Sequence, residues 1–219
     1  YTDILPSFHA KYAIHSNGNL RFSYARAINR PSFFEIVPYS IINEDYKEKG
    51  NPELKHTVAD NIDLRYEFFP RSSEQLMVGL FYKNIKDPIE YGLLNEGQDT
   101  YYKPMNFGTA NNWGLEVDIL KYFNWLGIKA NYTYTYSKIT TEKRVMQGSE
   151  VTTTTQSRPL FGQAAHVANI SFLLKDSKHG WEGQLAMGYT GKRLSDISNW
   201  ADNDIWEKGY TQLDASIEK

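Results

Sequence analysis

Hydrophobic and polar positions alternate with a period of two along most of the chain. In residues 127–141 one set consists of Ile128, Ala130, Tyr132, Tyr134 and Tyr136, and the other of Lys129, Asn131, Thr133, Thr135 and Ser137. Successive side chains of a β-strand point to opposite faces, so this stretch has one apolar and one polar face. The pattern predicts an amphipathic strand, and the solvent that meets each face decides the class of protein.

The same alternation recurs in nine segments, and no segment with a helical period lies between them. The predicted strands cover approximately residues 8–14, 20–25, 61–68, 76–82, 113–119, 127–141, 168–174, 185–189 and 213–217. Ser16-Asn17-Gly18-Asn19, between the first two segments, are residues favoured in tight turns, so these two segments are predicted to form a hairpin. The sequence therefore predicts an all-β protein built from antiparallel strands.

The connections between these strands alternate in length. Short connections lie near residues 16–19, 70–74, 122–126 and 175–180, and long ones near 29–56, 87–108, 140–162 and 191–209. Outer-membrane barrels have short periplasmic turns at one end and long surface loops at the other. The order favours an antiparallel transmembrane β-barrel fragment. A soluble β-sandwich with the tyrosine face as its core remains the structural alternative, because it would alternate as cleanly.

Composition agrees with a membrane barrel and excludes other classes. Aromatic residues make up 15% of the 219 residues, with 16 tyrosines, and such rings collect where a barrel meets the lipid headgroups. The mean hydropathy of −0.57 and the lack of a long apolar run exclude a helical membrane span. A net charge of −2 gives no attraction to nucleic acid, and the absence of cysteine excludes a disulfide framework.

Charged residues within the predicted strands fall on the polar face. Arg65, Glu67, Glu116 and Asp118 are the clearest examples. A basic side chain turned towards the middle of a bilayer would cost about 2–4 kcal/mol, so this face is predicted to line a watery interior.

Five runs of sequence resemble the C-terminal barrel half of TonB-dependent outer-membrane receptors, particularly those of the Bacteroidetes type. They are LRFSYARAINRPSF at 20–33, GNPELKHTVADNIDLRYEFF at 50–69, FYKNIKDPIEYG at 81–92, NWGLEVDI at 112–119 and RPLFGQAAHVANISF at 158–172. The resemblance implies a plugged barrel of about 22 strands in the outer membrane of a Gram-negative bacterium. It also implies import of a scarce nutrient, which could be an iron-siderophore, cobalamin, or an oligosaccharide or peptide.

The resemblance further implies partners and a domain assignment. The partners are outer-membrane lipid, an N-terminal plug domain, the TonB complex, a small-molecule or oligomeric nutrient and a surface lipoprotein, with no nucleic acid. Residues 1–219 are predicted to be a partial C-terminal outer-membrane β-barrel domain. They would supply about nine of about 22 strands, with the plug, the TonB-contacting segment and the final strands outside this chain.

No catalytic motif is present, so we predict neither an enzyme nor a cofactor. Asp202, Asp204 and Glu207 supply oxygen atoms in the last long connection. Their spacing lacks the glycine and the bidentate pattern of a calcium loop, and no metal site is predicted.

Ligand contacts are expected from aromatic residues of the long connections, because stacking rings on loops suit sugars, chelators and porphyrins. The candidates are Phe33, Phe34, Tyr39, Tyr46, Tyr91, Tyr101, Tyr102, Trp200 and Trp206. Arg65, Glu67, Glu116 and Asp118 are the candidates for contacts with the plug. The functional alternatives are a soluble adhesin, a passive porin and a barrel lipase or protease.

Overall fold

The protein is built almost entirely from β-strands. The computed structural model describes residues 2–42, 44, 46–96, 99–176 and 178–219. In chain order the elements are β1 (Ser7–His15), β2 (Gly18–Asn29), α1 (Phe33–Ile36), β3 (Ser40–Ile42), β4 (Lys47–Lys49), β5 (Thr57–Arg71), β6 (Glu74–Lys86), β7 (Ile89–Glu96), β8 (Asp99–Asn106), β9 (Thr109–Phe123), β10 (Leu126–Gln147), β11 (Glu150–Arg158), β12 (His166–Asp176), β13 (Trp181–Thr190), β14 (Arg193–Ser198), β15 (Ile205–Glu207) and β16 (Tyr210–Glu218).

Ten strands form one antiparallel sheet, which we call the main sheet. Its order is β1-β2-β5-β6-β9-β10-β12-β13-β16, with β11 paired to the end of β10. Apart from β11, each strand pairs with the next main-sheet strand along the chain. The pairing of β9 with β10, for example, is continuous from Leu126↔Phe123 to Ile139↔Ala110. All nine strands predicted from the alternation are present in this sheet, so the antiparallel all-β prediction is confirmed.

The two faces of the main sheet differ in chemistry along their whole length. Arg21, Arg65 and Glu116 project from one side, the polar face, where Arg65 pairs with Glu116 and Arg21 pairs with Glu67. The other side, the apolar face, carries uncovered rings and aliphatic chains: Tyr132 is 37% exposed, Tyr136 44% and Leu80 54%. In a soluble sandwich these side chains would form the core. The structure leaves them open, which contradicts the sandwich alternative.

Connections alternate in length as predicted. The turns β1–β2, β5–β6, β9–β10 and β12–β13 are short, and Asn124 (φ 52°) and Gly180 (φ 73°) adopt left-handed conformations that tighten two of them. The connections that follow β2, β6, β10 and β13 are long. The two kinds of connection therefore lie at opposite ends of the main sheet.

The long connections are not irregular loops, which corrects the sequence-based picture. Three of them contribute strands to a second sheet, which we call the loop sheet, with the order β15-β14-β7-β8-β4-β3. A fourth long connection extends β10 and returns as β11. The first also holds the single-turn helix α1, whose Ser32 side chain accepts a hydrogen bond from the Glu35 backbone N–H in a capping box.

The buried hydrophobic side chains are confined to the contact between the loop sheet and the long-connection end of the main sheet. The buried hydrophobic residues are Ala110, Ile139, Ala164, Leu194 and Ile197. Ile139 belongs to β10, whereas Leu194 and Ile197 belong to β14, so the small core joins the two sheets. No helix among the described residues has the length and hydrophobicity needed to cross a bilayer.

Candidate ligand-binding face

A buried ion pair fixes β7 to the polar face of the main sheet. Arg158 Nη2 lies 2.8 Å from Glu90 Oε2, and the two side chains are 2% and 7% exposed. Glu90 Oε1 also accepts a hydrogen bond from the backbone N–H of Phe161 at 2.7 Å. Arg158 pairs in register with Ile139 and therefore stands on the polar face. Removing one partner of such a pair leaves an uncompensated buried charge.

A second buried ion pair fixes the connection between β14 and β15. The Lys143 ammonium on β10 contacts the Asp204 carboxylate, which also accepts the backbone N–H of Ser198 at 2.9 Å. Burial lowers the pKa of Lys143 from its usual value, while Asp204 opposes that shift. Backbone hydrogen bonds between Arg144 and the pair Asn199 and Ala201 continue the attachment. The loop sheet is thus held against the polar face at two separate points, one on β11 and one on β10.

The side of the loop sheet turned away from this anchor is lined by tyrosines and carboxylates. In the register of β7, β8 and β4, Leu93 pairs with Tyr102 and Tyr102 pairs with Glu48. Ser198 pairs with Leu93, which places Asp196 on the same side. We call this surface the tyrosine–carboxylate face. It contains Tyr39, Tyr46, Glu48, Tyr91, Tyr102 and Asp196.

Two phenol–carboxylate hydrogen bonds order this face. The Tyr39 hydroxyl donates to Glu48 at 2.9 Å, and the Tyr102 hydroxyl donates to Asp196 at 2.7 Å. Burial, and next the bonded carboxylate, raises the pKa of each phenol to about 12. Both phenols therefore remain protonated donors at neutral pH, and both carboxylates keep lone pairs for further partners.

Aromatic contacts complete the face. The ring of Tyr46 meets that of Tyr102 edge-on at 5.3 Å between centroids, and Tyr46 is 46% exposed. Burial raises the pKa of Tyr91, and the nearby Glu35 and Glu48 carboxylates raise it further. An accessible ring beside ordered acceptors is an arrangement that suits a ligand with both an apolar surface and hydrogen-bond donors.

The structure brings together four of the nine predicted aromatic residues, namely Tyr39, Tyr46, Tyr91 and Tyr102. Phe33 and Phe34 lie on the adjoining α1 and are 72% and 71% exposed. Tyr101 lies on the opposite side of the loop sheet, where the Lys49 ammonium stands 3.9 Å from its ring centroid.

The two tryptophans lie apart from the tyrosine cluster. Trp206 on β15 has the Lys192 ammonium 5.2 Å from its ring, and pairs in register with the buried Leu194. Trp200 forms an isolated bridge with Arg144 and donates its backbone N–H to Ser198 Oγ. Both residues therefore belong to the attachment side of the β14–β15 hairpin.

The four predicted plug contacts lie on the polar face, further towards the short turns. Arg65 Nη2 is 3.7 Å from Glu116 Oε2, and Asp118 Oδ1 accepts a hydrogen bond from Gln75 Nε2 at 2.5 Å. These residues line a groove of about 340 Å³. Glu67 is bonded to Arg21 at 2.7 Å instead and does not line this groove. The groove is a wall of fixed charges against which another polar surface could pack.

The three carboxylates considered as calcium ligands turn to separate partners. Asp204 binds Lys143, Asp202 accepts from Gln156 at 2.7 Å, and Glu207 accepts from Arg193 at 2.7 Å. Within the described part of the chain, no group of three or more histidine, aspartate or glutamate side chains could hold a metal ion.

Sequence reasoning missed the charged residues that organise this region. Glu48 and Asp196 stand beside tyrosines, and Glu90 and Arg158 form the buried anchor. In the sequence all four resemble ordinary solvated loop residues. Asp196 lies 94 residues from its partner Tyr102, and Arg158 lies 68 residues from Glu90, so no local pattern identifies these contacts.

Comparison with known proteins gives one family and a common fold. Residues 1–219 match the family described as "TonB dependent receptor-like, beta-barrel". No curated protein sequence matches the chain significantly.

Several solved receptors share the fold at low sequence identity. They include a ferric enterobactin receptor mutant of Pseudomonas aeruginosa in complex with enterobactin (TM-score 0.65, 16% identity, 97% of this chain and 32% of that one). The siderophore receptor PirA of Acinetobacter baumannii gives a TM-score of 0.63 at 15% identity, covering 97% and 34% of the two chains. The FrpB iron transporter of Neisseria meningitidis gives 0.62 at 14%, covering 98% and 32%. The chain thus spans about a third of the length of these proteins, and the likeness is one of fold.

Proposed function

Because the chain belongs to the family of TonB-dependent receptor β-barrels, we propose that the protein containing it captures a scarce nutrient at the cell surface and imports it with energy supplied from the inner membrane. Members of this family are outer-membrane transporters of Gram-negative bacteria and are not enzymes. In such a barrel the apolar face meets lipid and the polar face lines the lumen. The long connections then lie at the outer surface.

The observation that carries this proposal is the loop sheet. Three long connections combine into one sheet, and two buried ion pairs, Arg158–Glu90 and Lys143–Asp204, attach it to the polar face of β11 and β10. Loops that served only to join strands would not need a fixed arrangement. We propose that the tyrosine–carboxylate face is the surface that contacts the ligand, because rigid scaffolds with ordered loop residues commonly present binding groups in this way.

The chemistry of this face narrows the ligand class. The charged groups that border its tyrosines are the carboxylates Glu35, Glu48 and Asp196. A ferric catecholate chelate is anionic and would meet like charge there, whereas hydroxyl or ammonium groups could donate to the carboxylates. Among the iron-siderophore, cobalamin and oligosaccharide or peptide ligands, we therefore propose an oligosaccharide or peptide. Enterobactin is bound by a receptor that shares only the fold.

We propose that the four charged residues predicted as plug contacts hold the plug. Arg65, Glu67, Glu116 and Asp118 present both signs of charge on the lumen wall, which suits a polar plug surface. Residues 1–219 would then be the barrel part, and the plug and the TonB-contacting segment would lie elsewhere in the protein. Replacing Arg65 and Glu116 by glutamine should weaken plug retention in the full-length receptor, and unchanged retention and uptake would refute this role.

The proposal is tested by conductance and binding of the full-length receptor. A plugged receptor should show no steady open current in a planar bilayer, whereas a passive porin should conduct without ligand. Binding is measured by calorimetry with a neutral oligosaccharide, a basic peptide and ferric enterobactin. We expect the receptor to bind the oligosaccharide or the peptide. Tyr46→Ala should weaken that binding, and Tyr101→Ala should leave it unchanged. Steady conductance would contradict the transporter, and binding of ferric enterobactin alone would contradict the ligand class.

A further inference from the structure

An open groove of about 700 Å³ lies on the apolar face at the short-turn end of the main sheet. The β9–β10 turn borders one side and the β12–β13 turn the other. Its lining includes the side chains of Trp125, Leu174, Lys178, Trp181 and Ile217, around the bare backbone of Gly183. Because the short turns of an outer-membrane barrel face the periplasm, the groove lies at the level of the inner leaflet of the outer membrane.

The floor of the groove is a notch in a row of apolar side chains. Leu174 pairs with Gly183, and Gly183 pairs with Ile217, so these three positions stand side by side on the apolar face. Gly183 leaves its place in the row empty. A Cβ at this position would lie 3.7 Å from Leu174 Cβ, with no atom nearer than the Ser216 carbonyl oxygen at 3.6 Å. Backbone packing therefore does not require this glycine, and the notch is free to receive an acyl chain.

The rim of the groove carries two indole rings, two carboxylates with basic partners, and one lysine that has no acidic partner within the described part of the chain. Trp125 and Trp181 are 62% and 42% exposed, and indole rings favour the boundary between lipid tails and headgroups. Lys178 has no carboxylate within ion-pair distance among the residues that the structure describes. The two carboxylates that line the groove have basic partners of their own: Glu182 pairs with Lys175, and Asp176 with His179, each at 2.6 Å.

We propose that this groove is a binding site for one anionic phospholipid of the inner leaflet. One acyl chain lies in the notch over Gly183 between the two tryptophans, and the phosphate lies against the Lys178 ammonium. The combination of an apolar notch, aromatic rim and unneutralised lysine matches the three parts of such a lipid. The inference depends on the membrane location of the chain and not on the identity of the nutrient.

Native mass spectrometry of the full-length receptor tests the proposal. The detergent-purified receptor is supplied with equal amounts of phosphatidylglycerol and phosphatidylethanolamine, and lipids retained per receptor are counted. One phosphatidylglycerol should remain preferentially bound. Lys178→Gln should lower its apparent affinity about fivefold, the effect of one basic residue at an anionic headgroup.

Two further variants separate the parts of the site. Gly183→Leu should fill the notch and abolish retention of both lipids at this site while leaving the barrel folded, since the backbone there has room for a side chain. Arg71→Gln is the matched control, because Arg71 is an exposed cation (75% of its side chain) at the β5–β6 turn, away from the groove. Equal retention of the two lipids by the unmodified receptor would overturn the proposal. It would also be overturned if Gly183→Leu and Lys178→Gln retained as much phosphatidylglycerol as the Arg71→Gln control.

Discussion

Tyr39 and Tyr102 illustrate how single residues order the candidate site. Tyr39 donates to Glu48 on β4, whereas Tyr102 on β8 donates across β7 to Asp196 on β14, and both phenols have a pKa raised to about 12. The hydrogen bond both fixes the ring and keeps the acceptor in position. The two tyrosines that we propose as ligand contacts are thus held in place before any ligand arrives, which would reduce the entropy lost on binding.

The raised pKa of these phenols predicts an alkaline transition of the loop sheet. Because the folded-state pKa lies above the usual value of about 10, their stabilising contribution is complete below about pH 10 and is lost as the pH rises through about 12. The absorbance of the receptor and of Tyr102→Phe is measured as a function of pH, and the second curve is subtracted from the first. The difference should show one phenol ionising near pH 12. Asp196→Asn should move that ionisation to lower pH, and a difference curve centred near pH 10 would contradict the assignment.

The Glu90 carboxylate is predicted to be essential for the position of β7. In Glu90→Gln the Arg158 guanidinium would stay buried without its counter-charge, a loss of about 3–5 kcal/mol for such a pair. Hydrogen exchange should therefore accelerate in residues 87–108 and 158–163. Glu150→Gln changes an exposed carboxylate in the β10–β11 hairpin and serves as the control. Equal exchange in the two variants would mean that the ion pair does not anchor the sheet.

At the scale of elements, α1 is positioned by its contact with the end of β4. Asn51 N–H donates to the Glu35 carbonyl at 2.6 Å, and a Cβ on Gly50 would collide with the backbone carbonyl of Val37. Only glycine allows this close approach. The exposed Phe33 and Phe34 rings therefore depend on a residue outside the helix.

Gly50→Ala should displace α1 from the loop sheet and weaken ligand binding. Forcing a methyl group against a backbone carbonyl costs about 1–3 kcal/mol through local shifts. Gly79→Ala is the control, since a Cβ there would lie 3.7 Å or more from its neighbours. Protease sensitivity of residues 30–56 should rise in the first variant alone, and equal sensitivity would show that α1 does not need the close contact.

The strands differ in how well their sequences predicted them. The nine predicted main-sheet strands each have one face in an apolar and one in a polar environment, so the alternation in segments such as β10 identifies them directly. The strands of the loop sheet are short or are exposed to mixed surroundings on both sides. In β4, Lys47, Glu48 and Lys49 carry no alternation at all, because Glu48 meets Tyr39 whereas Lys49 covers Tyr101.

The candidate site was predicted only in outline for a related reason. The prediction named Tyr39, Tyr46, Tyr91 and Tyr102 among nine aromatic candidates, but could not separate them from the others, such as Tyr101, which is adjacent to Tyr102 and faces the other way. That separation depends on the parallel pairing of β4 with β8. Pairing between distant loops has no local signature in the sequence.

For the whole molecule, the central question is which solvent meets each face of the main sheet. The family assignment and the uncovered tyrosine rows both support the proposal that lipid meets the apolar face. The lumen then contains the polar face and, above it, the loop sheet. Both the ligand-contact proposal and the phospholipid site depend on this orientation.

The most direct test places a nitroxide label on each face of β10 in the membrane-embedded receptor. The chain contains no cysteine, so single cysteines introduced at Tyr132 and Thr133 can be labelled without background from these 219 residues. Neighbouring positions on one strand provide their own control. We predict that the label at position 132 collides frequently with oxygen, which concentrates in lipid, and rarely with a water-soluble nickel chelate. The label at position 133 should be less accessible to oxygen. Greater oxygen access at position 133 than at position 132 would place the tyrosine row in a protein core and contradict the account.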